Sequence, residues 1–136
     1  MKLIKVFLTG ALLFALLENN ESLAAAAAHA TRTDSAGGVT VKITLLDAKA
    51  SGEMRFQVSL DTHSVNLDGY DLKALTLLRD DGGNDYSPTT VESKGSGHHR
   101  EAILRFAKIK SGTKRVELVV RNVAGVKERL FRWDVQ

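Results

Sequence analysis

The sequence predicts an all-β chain that folds as a single antiparallel β-sandwich of about seven short strands with immunoglobulin-like architecture. Apolar and polar residues alternate through most of the chain beyond residue 38, and a period of two is typical of strands with one buried face. Turn residues separate these runs roughly every 8 to 12 positions, as in sandwiches of about 100 residues. A small β-barrel is the alternative architecture.

Two strands are predicted at the start of the domain. Their apolar positions are Val39, Val41, Ile43 and Leu45, then Met54, Phe56, Val58 and Leu60. Residues 49–52, between them, have the composition of a turn. Residues 72–79 are mostly apolar without a clear period, which fits either a strand buried on both faces or a short helix. We predict a strand there.

A tight turn is predicted in the middle of the chain. Residues 80–84 read Asp-Asp-Gly-Gly-Asn, and these residue types tolerate positive φ, so we expect a hairpin turn rather than a calcium loop. A weak strand follows at residues 85–92 and contains Pro88, the only proline of the chain. Because proline cannot donate to a strand ladder, we place this segment at a sheet edge.

Three further strands complete the predicted sandwich. Their alternating apolar positions are Ala102, Leu104 and Phe106, then Val116, Leu118 and Val120, and finally Phe131, Trp133 and Val135. The outward phase of these strands includes Arg105, Arg121 and Arg132. Trp133 is in phase with its apolar neighbours, which favours a core position over an exposed aromatic platform.

The N-terminus has the three parts of a secretory signal peptide. Lys2 and Lys5 precede an apolar run at residues 6–17, and the stretch ends in Ala28-His29-Ala30. We expect cleavage after Ala30, with an uncleaved anchor as the alternative. The run is too short for a membrane span, which needs ~20 apolar residues. The predicted organisation is a signal peptide at residues 1–30, a flexible lead-in at 31–38 and the sandwich at 39–136.

The composition limits the cellular location and the partners that we expect. The chain has no cysteine, so neither a lipidated N-terminus nor a disulfide is expected. No second apolar segment follows the signal, so we expect no membrane span in the mature chain and a periplasmic or extracellular location. The formal net charge is +3. Acidic residues prevail before residue 94 and basic residues from 94 onward. Distant strands interleave in a sandwich, so we expect the two kinds of charge to mix in space. An exported protein also rarely meets nucleic acid, and we therefore expect no nucleic-acid partner.

Three of the four histidines fall in two short clusters that form a candidate metal site. Asp61 and His63 are two residues apart and share a strand face, opposite to the core positions. By the same parity His99 faces outward and His98 inward. Asp61, His63 and His99, with His98 as an additional ligand, would suit copper or zinc. The alternative, which the absence of any known ligand spacing favours, is that these histidines stabilise loops.

An enzyme is not expected. Ser64 and Ser96 lie near the histidines, but no strand-elbow motif surrounds either serine. Asp80, Asp81 and Asp85 crowd into one turn instead of lining a cleft. A hydrolase is therefore the third and most distant hypothesis.

Several segments resemble a group of uncharacterised exported bacterial and archaeal proteins. They are Leu60-Asp61-Thr62-His63-Ser64, Tyr70-Asp71-Leu72, Gly97-His98-His99, Leu104-Arg105-Phe106 and Glu128-Arg129-Leu130-Phe131-Arg132-Trp133. The resemblance extends from about residue 39 to residue 133 and implies no activity. It implicates the same two histidine segments.

The sequence therefore predicts an exported binding or accessory module of the cell envelope, with a metal ion or an envelope protein as its partner and no certain cofactor. The alternative is a structural or protein-interaction sandwich that binds no metal, through an exposed sheet face or edge strand.

Overall fold

The computed structural model describes residues 30–49 and 52–135. Within them, nine strands and one short helix form two antiparallel sheets. The strands are β1 (Thr31–Ala36), β2 (Val39–Ala48), β3 (Met54–Thr62), β4 (Thr76–Asp80), β5 (Asp85–Tyr86), β6 (Thr90–Ser96), β7 (His99–Phe106), β8 (Arg115–Val123) and β9 (Val126–Asp134), and the helix α1 is Leu72–Leu75. The predicted signal peptide lies almost wholly outside the described residues.

The strand order is that of an immunoglobulin-like sandwich. One sheet has the order β1-β2-β3-β7-β6 and the other β5-β4-β8-β9. With β1 set aside, these orders correspond to A-B-E-D and C′-C-F-G. The predicted β-sandwich is confirmed, and its two sheets are not closed into the alternative barrel. Strands from the acidic and basic parts of the chain lie side by side, as expected.

The core lies between the sheets at the positions that the alternation predicts. Its residues, all nearly inaccessible, include Val41, Ile43, Leu45, Phe56, Val58, Leu60, Leu104, Phe106, Leu118, Val120, Phe131 and Trp133. The Phe56 ring packs edge-on against Phe106 at 5.8 Å and tilted against Trp133 at 5.2 Å between centroids. Trp133 is 1% exposed, which confirms its predicted core position.

Residues 31–38 are not a flexible lead-in, because Thr31–Ala36 forms β1 and pairs along its whole length with β2. The prediction failed because the segment is polar on both faces and shows no apolar period. Hydroxyl pairs align the outer side of this ladder: Thr31 with Thr44 at 2.7 Å and Ser35 with Thr40 at 2.9 Å.

The inner side of β1 fastens the two sheets together through a buried arginine. Arg129, on β9, has a fully buried side chain that pairs with Asp34 of β1. Its second guanidinium nitrogen donates to the carbonyl of Ala36 at 2.8 Å. Arg32 donates to the carbonyl of Arg132 and lies over the Trp133 ring, 5.8 Å from its centroid. Strand β1 therefore covers the free edge of β9.

Two central segments differ from the prediction. Residues 72–79 contain one turn of helix before β4 begins at Thr76, because Asp71 caps α1 by accepting from the amides of Lys73 and Ala74. The weak strand at 85–92 is split into β5 and β6, which are edge strands of opposite sheets. The segment was expected at a sheet edge, and both of its strands are edge strands. Pro88 itself lies in the crossover between them and belongs to neither strand.

The loops β1–β2, β3–β4, β6–β7 and β8–β9 meet at one end of the sandwich. Thr62 donates its amide to the carbonyl of His98, and Leu67 donates to the carbonyl of Gly97. At Gly37, φ is +61°, and a Cβ would lie 2.3 Å from the carbonyl oxygen of Ala124, so the β1–β2 turn needs glycine there. The described part of the chain contains no helix long and apolar enough to cross a membrane.

Candidate functional site

The outer face of the five-stranded sheet brings two of the predicted site residues together. Asp61 of β3 and His99 of β7 are cross-strand partners, and His99 Nδ1 lies 2.6 Å from Asp61 Oδ1. Ser59 Oγ donates to Asp61 Oδ2 at 3.0 Å. The His99 side chain is 73% exposed and that of Asp61 35% exposed. The outward orientation predicted for both residues is confirmed.

The Asp61–His99 pair has a defined electrostatic character. The hydrogen bond from His99 lowers the pKa of Asp61 below its usual 3.8; burial acts in the opposite direction, and the hydrogen bond from Ser59 adds to the lowering. Since Asp61 is an acceptor when ionised, a neutral His99 carries its proton on Nδ1, and Nε2 is the unprotonated nitrogen. Histidines that bind metals commonly donate their other ring nitrogen to a carboxylate in this way.

The other two predicted ligands do not join this pair. His63 lies in the loop after β3, and His98 lies in the turn between β6 and β7. Both side chains are exposed, and within the described residues neither forms a hydrogen bond. Residues 30–49 and 52–135 contain no group of three or more histidine, aspartate or glutamate side chains that could hold a metal ion. The predicted set of four ligands is thus reduced to Asp61 and His99.

Thr62 is the reason that strand parity predicts the orientation of Asp61 but not that of His63. Strand β3 ends at Thr62, whose buried hydroxyl donates to the carbonyl of Gly38 at 2.7 Å. The same oxygen accepts the amides of Ser64 and Val65, each at 3.2 Å. The chain turns around this hydroxyl, so strand alternation no longer fixes the direction of His63.

The segment around Gly97 and His98 organises loops through its backbone. Gly97 donates its amide to Asp68 Oδ1 at 2.7 Å. Arg100, just beyond the turn, donates one guanidinium nitrogen to the carbonyls of Leu67 and Tyr70, at 2.7 and 2.6 Å. The structural role that the sequence suggested for the histidines is therefore filled by Thr62, Asp68 and Arg100. Thr62 and Arg100 each adjoin a histidine in the sequence, which was the available signal for these two residues; Asp68 does not.

A shallow depression of about 340 Å³ adjoins the Asp61–His99 pair. It is lined by Ser59, Asp61, Lys94, Gly95, His99, Arg100 and Glu101. Lys94 Nζ lies 2.9 Å from Glu101 Oε2 across its floor. Gly95 has φ +81°, and a Cβ there would come within 2.4 Å of the His99 carbonyl oxygen. Glycine at this position lets β6 approach the backbone of His99.

The outer face of the four-stranded sheet has a different centre, which the sequence analysis did not single out. Leu77 of β4, Val119 of β8 and Leu130 of β9 are cross-strand neighbours in one line, here named the apolar row. Val119 is fully buried, Leu77 half-buried and Leu130 44% exposed. Among the described residues Leu130 is the one large hydrophobic side chain that is exposed. Its phase, shared with Arg132 and Asp134, was the signal available in the sequence.

Ion pairs flank the apolar row on both sides. On one side Glu117, which is 15% exposed, lies 3.7 Å from Arg79 and 2.5 Å from Arg132. On the other side Arg121 Nε lies 3.3 Å from Glu128 Oε1. The charges hold the aliphatic parts of these long side chains alongside the apolar row, which helps to bury Val119.

The acidic turn of residues 80–84 is structural, as predicted. The Asp80 carboxylate accepts from the Gly82 and Asn84 amides, the Asn84 side chain and the Tyr86 hydroxyl. Burial raises the pKa of Asp80, but these hydrogen bonds together outweigh it, so the pKa lies below the usual 3.8. Asp81 accepts the amide of Lys114 at 2.9 Å. The carboxylates thus close the β4–β5 hairpin and join it to the β7–β8 loop.

No serine hydroxyl hydrogen-bonds a histidine ring in the part of the chain that the structure describes. Comparison with protein-family models, with curated proteins and with solved structures found no match for this chain. The resemblance to exported proteins with the Asp61–Ser64 and Gly97–His99 segments therefore stays a prediction.

Proposed function

We propose that this chain is an exported immunoglobulin-like interaction module that binds a protein partner in the periplasm or outside the cell. The proposed docking surface is the outer face of the four-stranded sheet. The observation that carries the proposal is the apolar row, which runs across three strands on a side where a solvated sheet presents polar residues.

The composition of this face supports docking. Leu130 is 44% exposed at one end of the row, and charged pairs border the row above and below. An apolar centre within a polar rim is the usual anatomy of a protein interface. Isolated apolar residues on a surface need no explanation, but Leu130 lies in register with the buried Val119 and the half-buried Leu77.

The location is proposed from the N-terminal sequence. Lys2 and Lys5, the apolar run at residues 6–17 and the Ala28-His29-Ala30 ending support export. The partner is then an envelope or secreted protein.

Site-specific photocrosslinking in living cells tests this function. The photoreactive residue p-benzoylphenylalanine replaces Leu130, and in a matched control it replaces Ile103, a half-buried apolar residue on the outer face of the five-stranded sheet. We expect a discrete crosslinked protein species from position 130 and none from position 103. Crosslinking at 103 alone, or at neither position, would contradict the proposal.

A second candidate function is binding of a copper or zinc ion at His99. The Asp61–His99 hydrogen bond favours this candidate, because Nδ1 is used in the bond and the lone pair of Nε2 is left to coordinate the metal ion. In this proposal His99 is the protein ligand and Asp61 orients its ring. Water or a second protein supplies the remaining ligands, since one imidazole alone binds such ions weakly.

Copper titration followed by electron paramagnetic resonance tests the second candidate. We expect His99→Ala to abolish nitrogen coupling from the protein, and Asp61→Asn to weaken binding by about tenfold through loss of the orienting carboxylate. His63→Ala and His98→Ala are the matched controls and should bind like the parent. A His99→Ala protein that binds copper as tightly as the parent would rule this candidate out.

A further inference from the structure

We propose that the partner on the four-stranded sheet is a second copy of this chain, related by a two-fold axis that lies along the apolar row and perpendicular to the strands. The inference rests on the proposed function, because it needs the same docking surface. It adds the identity of the partner and the orientation of the two copies.

The charges on the two sides of the apolar row follow opposite orders. The strand registers place Arg79, Glu117 and Arg132 in one line across β4, β8 and β9. On the opposite side of the row, Arg121 and Glu128 are paired across β8 and β9. From β8 to β9, the first line runs from negative Glu117 to positive Arg132. The second line runs from positive Arg121 to negative Glu128.

A two-fold axis along the row superimposes these two lines. Each strand then crosses its own counterpart, and positions above the row meet positions below it. Glu117 faces Arg121 of the second copy, and Arg132 faces Glu128 of the second copy. The residues of the apolar row meet their own counterparts, so the surface is complementary to itself, as an isologous dimer requires.

An axis parallel to the strands that runs along β8 gives the opposite result. It would place Glu117 over its own counterpart and Arg79 over Arg132 of the second copy, and like charges set opposite each other cost several kcal/mol. A parallel axis midway between β8 and β9 would oppose unlike charges, but β9 is the edge of the sheet, so only β8 and β9 would overlap and Leu77 would stay uncovered. Charge and overlap together therefore favour the axis perpendicular to the strands.

The size of the face predicts a weak dimer. The four strands β4, β5, β8 and β9 contain 5, 2, 9 and 9 residues, and at ~3.4 Å per residue and ~4.8 Å between strands they cover roughly 400 Å². Two such faces bury about 800 Å² together, which is below the size of standard specific interfaces. We therefore expect a dissociation constant in the micromolar range or weaker, and the dimer must be sought at high protein concentration.

Charge reversal and its rescue test the proposal. The association constant of the purified protein is measured by sedimentation equilibrium for Arg132→Glu, for Glu128→Arg and for the double variant. Each single reversal opposes like charges across the axis and should weaken association by about tenfold or more. The double variant restores opposite charges between the copies and should associate more tightly than either single variant. It should stay weaker than the parent, because within each chain position 132 then repels Glu117 and position 128 repels Arg121.

The design separates contacts between copies from contacts within one chain. Residues 128 and 132 are four positions apart on β9, which is ~13 Å along a strand, so the double variant makes no new pair within a chain. Thermal unfolding of each variant shows whether the fold is retained. Arg115→Glu, which reverses a charge paired with Asp134 outside the two lines, is the control and should associate like the parent.

The outcomes distinguish this inference from the proposed function. A monomeric parent at all concentrations, or a double variant no better than the single ones, overturns the inference. If photocrosslinking from position 130 gives a heterologous adduct and no dimer of this chain, the docking face stands and the second copy is excluded. If position 130 gives no adduct, both fail.

Discussion

The outward positions of the two sheets carry different kinds of side chain. On the five-stranded sheet, hydroxyl pairs, the Asp61–His99 hydrogen bond and ion pairs such as Lys94–Glu101 occupy most outward positions. On the four-stranded sheet, the outward positions at the centre are apolar and ion pairs surround them. The central strands of the two sheets, β3 and β8, both bury apolar residues on their inward side. The difference therefore lies in the outward phase alone, which the core does not constrain.

This contrast separates the features that maintain the fold from those available for binding. Near the histidines, the backbone contacts of Thr62, Asp68 and Arg100 tie three loops together, so that end of the molecule is accounted for by folding. The apolar row forms no part of the core between the sheets. A residue such as Leu130, which is exposed and lies outside the core between the sheets, is the better indicator of a partner.

The largest difference between the faces should appear when the centre of each is truncated. Val119→Ala removes two buried methyl groups and should lower the free energy of unfolding by about 2 kcal/mol. Gln57 occupies an outward position on a central strand of the other sheet, and Gln57→Ala should change that free energy by less than about 0.5 kcal/mol. Urea denaturation measures both. Equal losses would mean that the two faces are packed alike.

Removing an ion pair should also lower the free energy of unfolding more on the four-stranded face than on the five-stranded face, but by a smaller amount. Glu117 is 15% exposed and serves two arginines, so Glu117→Gln should cost about 1 kcal/mol of unfolding free energy. The Lys94–Glu101 pair on the other face is largely exposed, and Glu101→Gln should produce no measurable change. The contrast fails if the Glu101 variant loses as much stability as the Glu117 variant.

The smallest effect concerns the pH response of the five-stranded face. Because the hydrogen bond from His99 lowers the pKa of Asp61, His99→Ala should raise that pKa toward 3.8, as followed by NMR titration of the carboxyl carbon. The control His63→Ala should leave it unchanged.

The sign of the stability change follows from this lowered pKa. A carboxyl group whose pKa is lower in the folded protein stabilises the fold above its unfolded pKa. That contribution disappears as the pH falls through the folded value. The stability advantage of the parent over His99→Ala should therefore shrink below about pH 4. An advantage that grows with acidification would contradict the assigned contact.

Much of the fold could be predicted because burial imposes a period on the sequence. Most apolar inward positions of β2, β3, β7, β8 and β9 were predicted, and the same parity correctly turned Asp61 and His99 outward. The buried Arg129 of β9 was not predicted. Strand β1 could not be predicted, since its inner side chains are polar and meet Arg129 and Trp133 from a distant strand. Contacts between residues so far apart leave no local pattern.

The candidate site was only partly predictable for a related reason. Parity holds within a strand, and β3 ends at Thr62 because a hydroxyl there bonds to the carbonyl of Gly38, which belongs to another turn. His63 lies one residue past that point. The apolar row was readable from the phase of Val119 and Leu130, but its continuity with Leu77 depends on the register of β4 against β8.

Concentration-dependent NMR spectra of the parent protein test the central claim most directly. Amide signals are compared at about 20 and about 500 μM, a range that spans the expected weak dissociation constant. We predict shifts confined to the strands around Leu77, Val119 and Leu130, with the amides of Asp61 and His99 unchanged. Shifts centred on the five-stranded face, or spectra identical at both concentrations, would contradict the account.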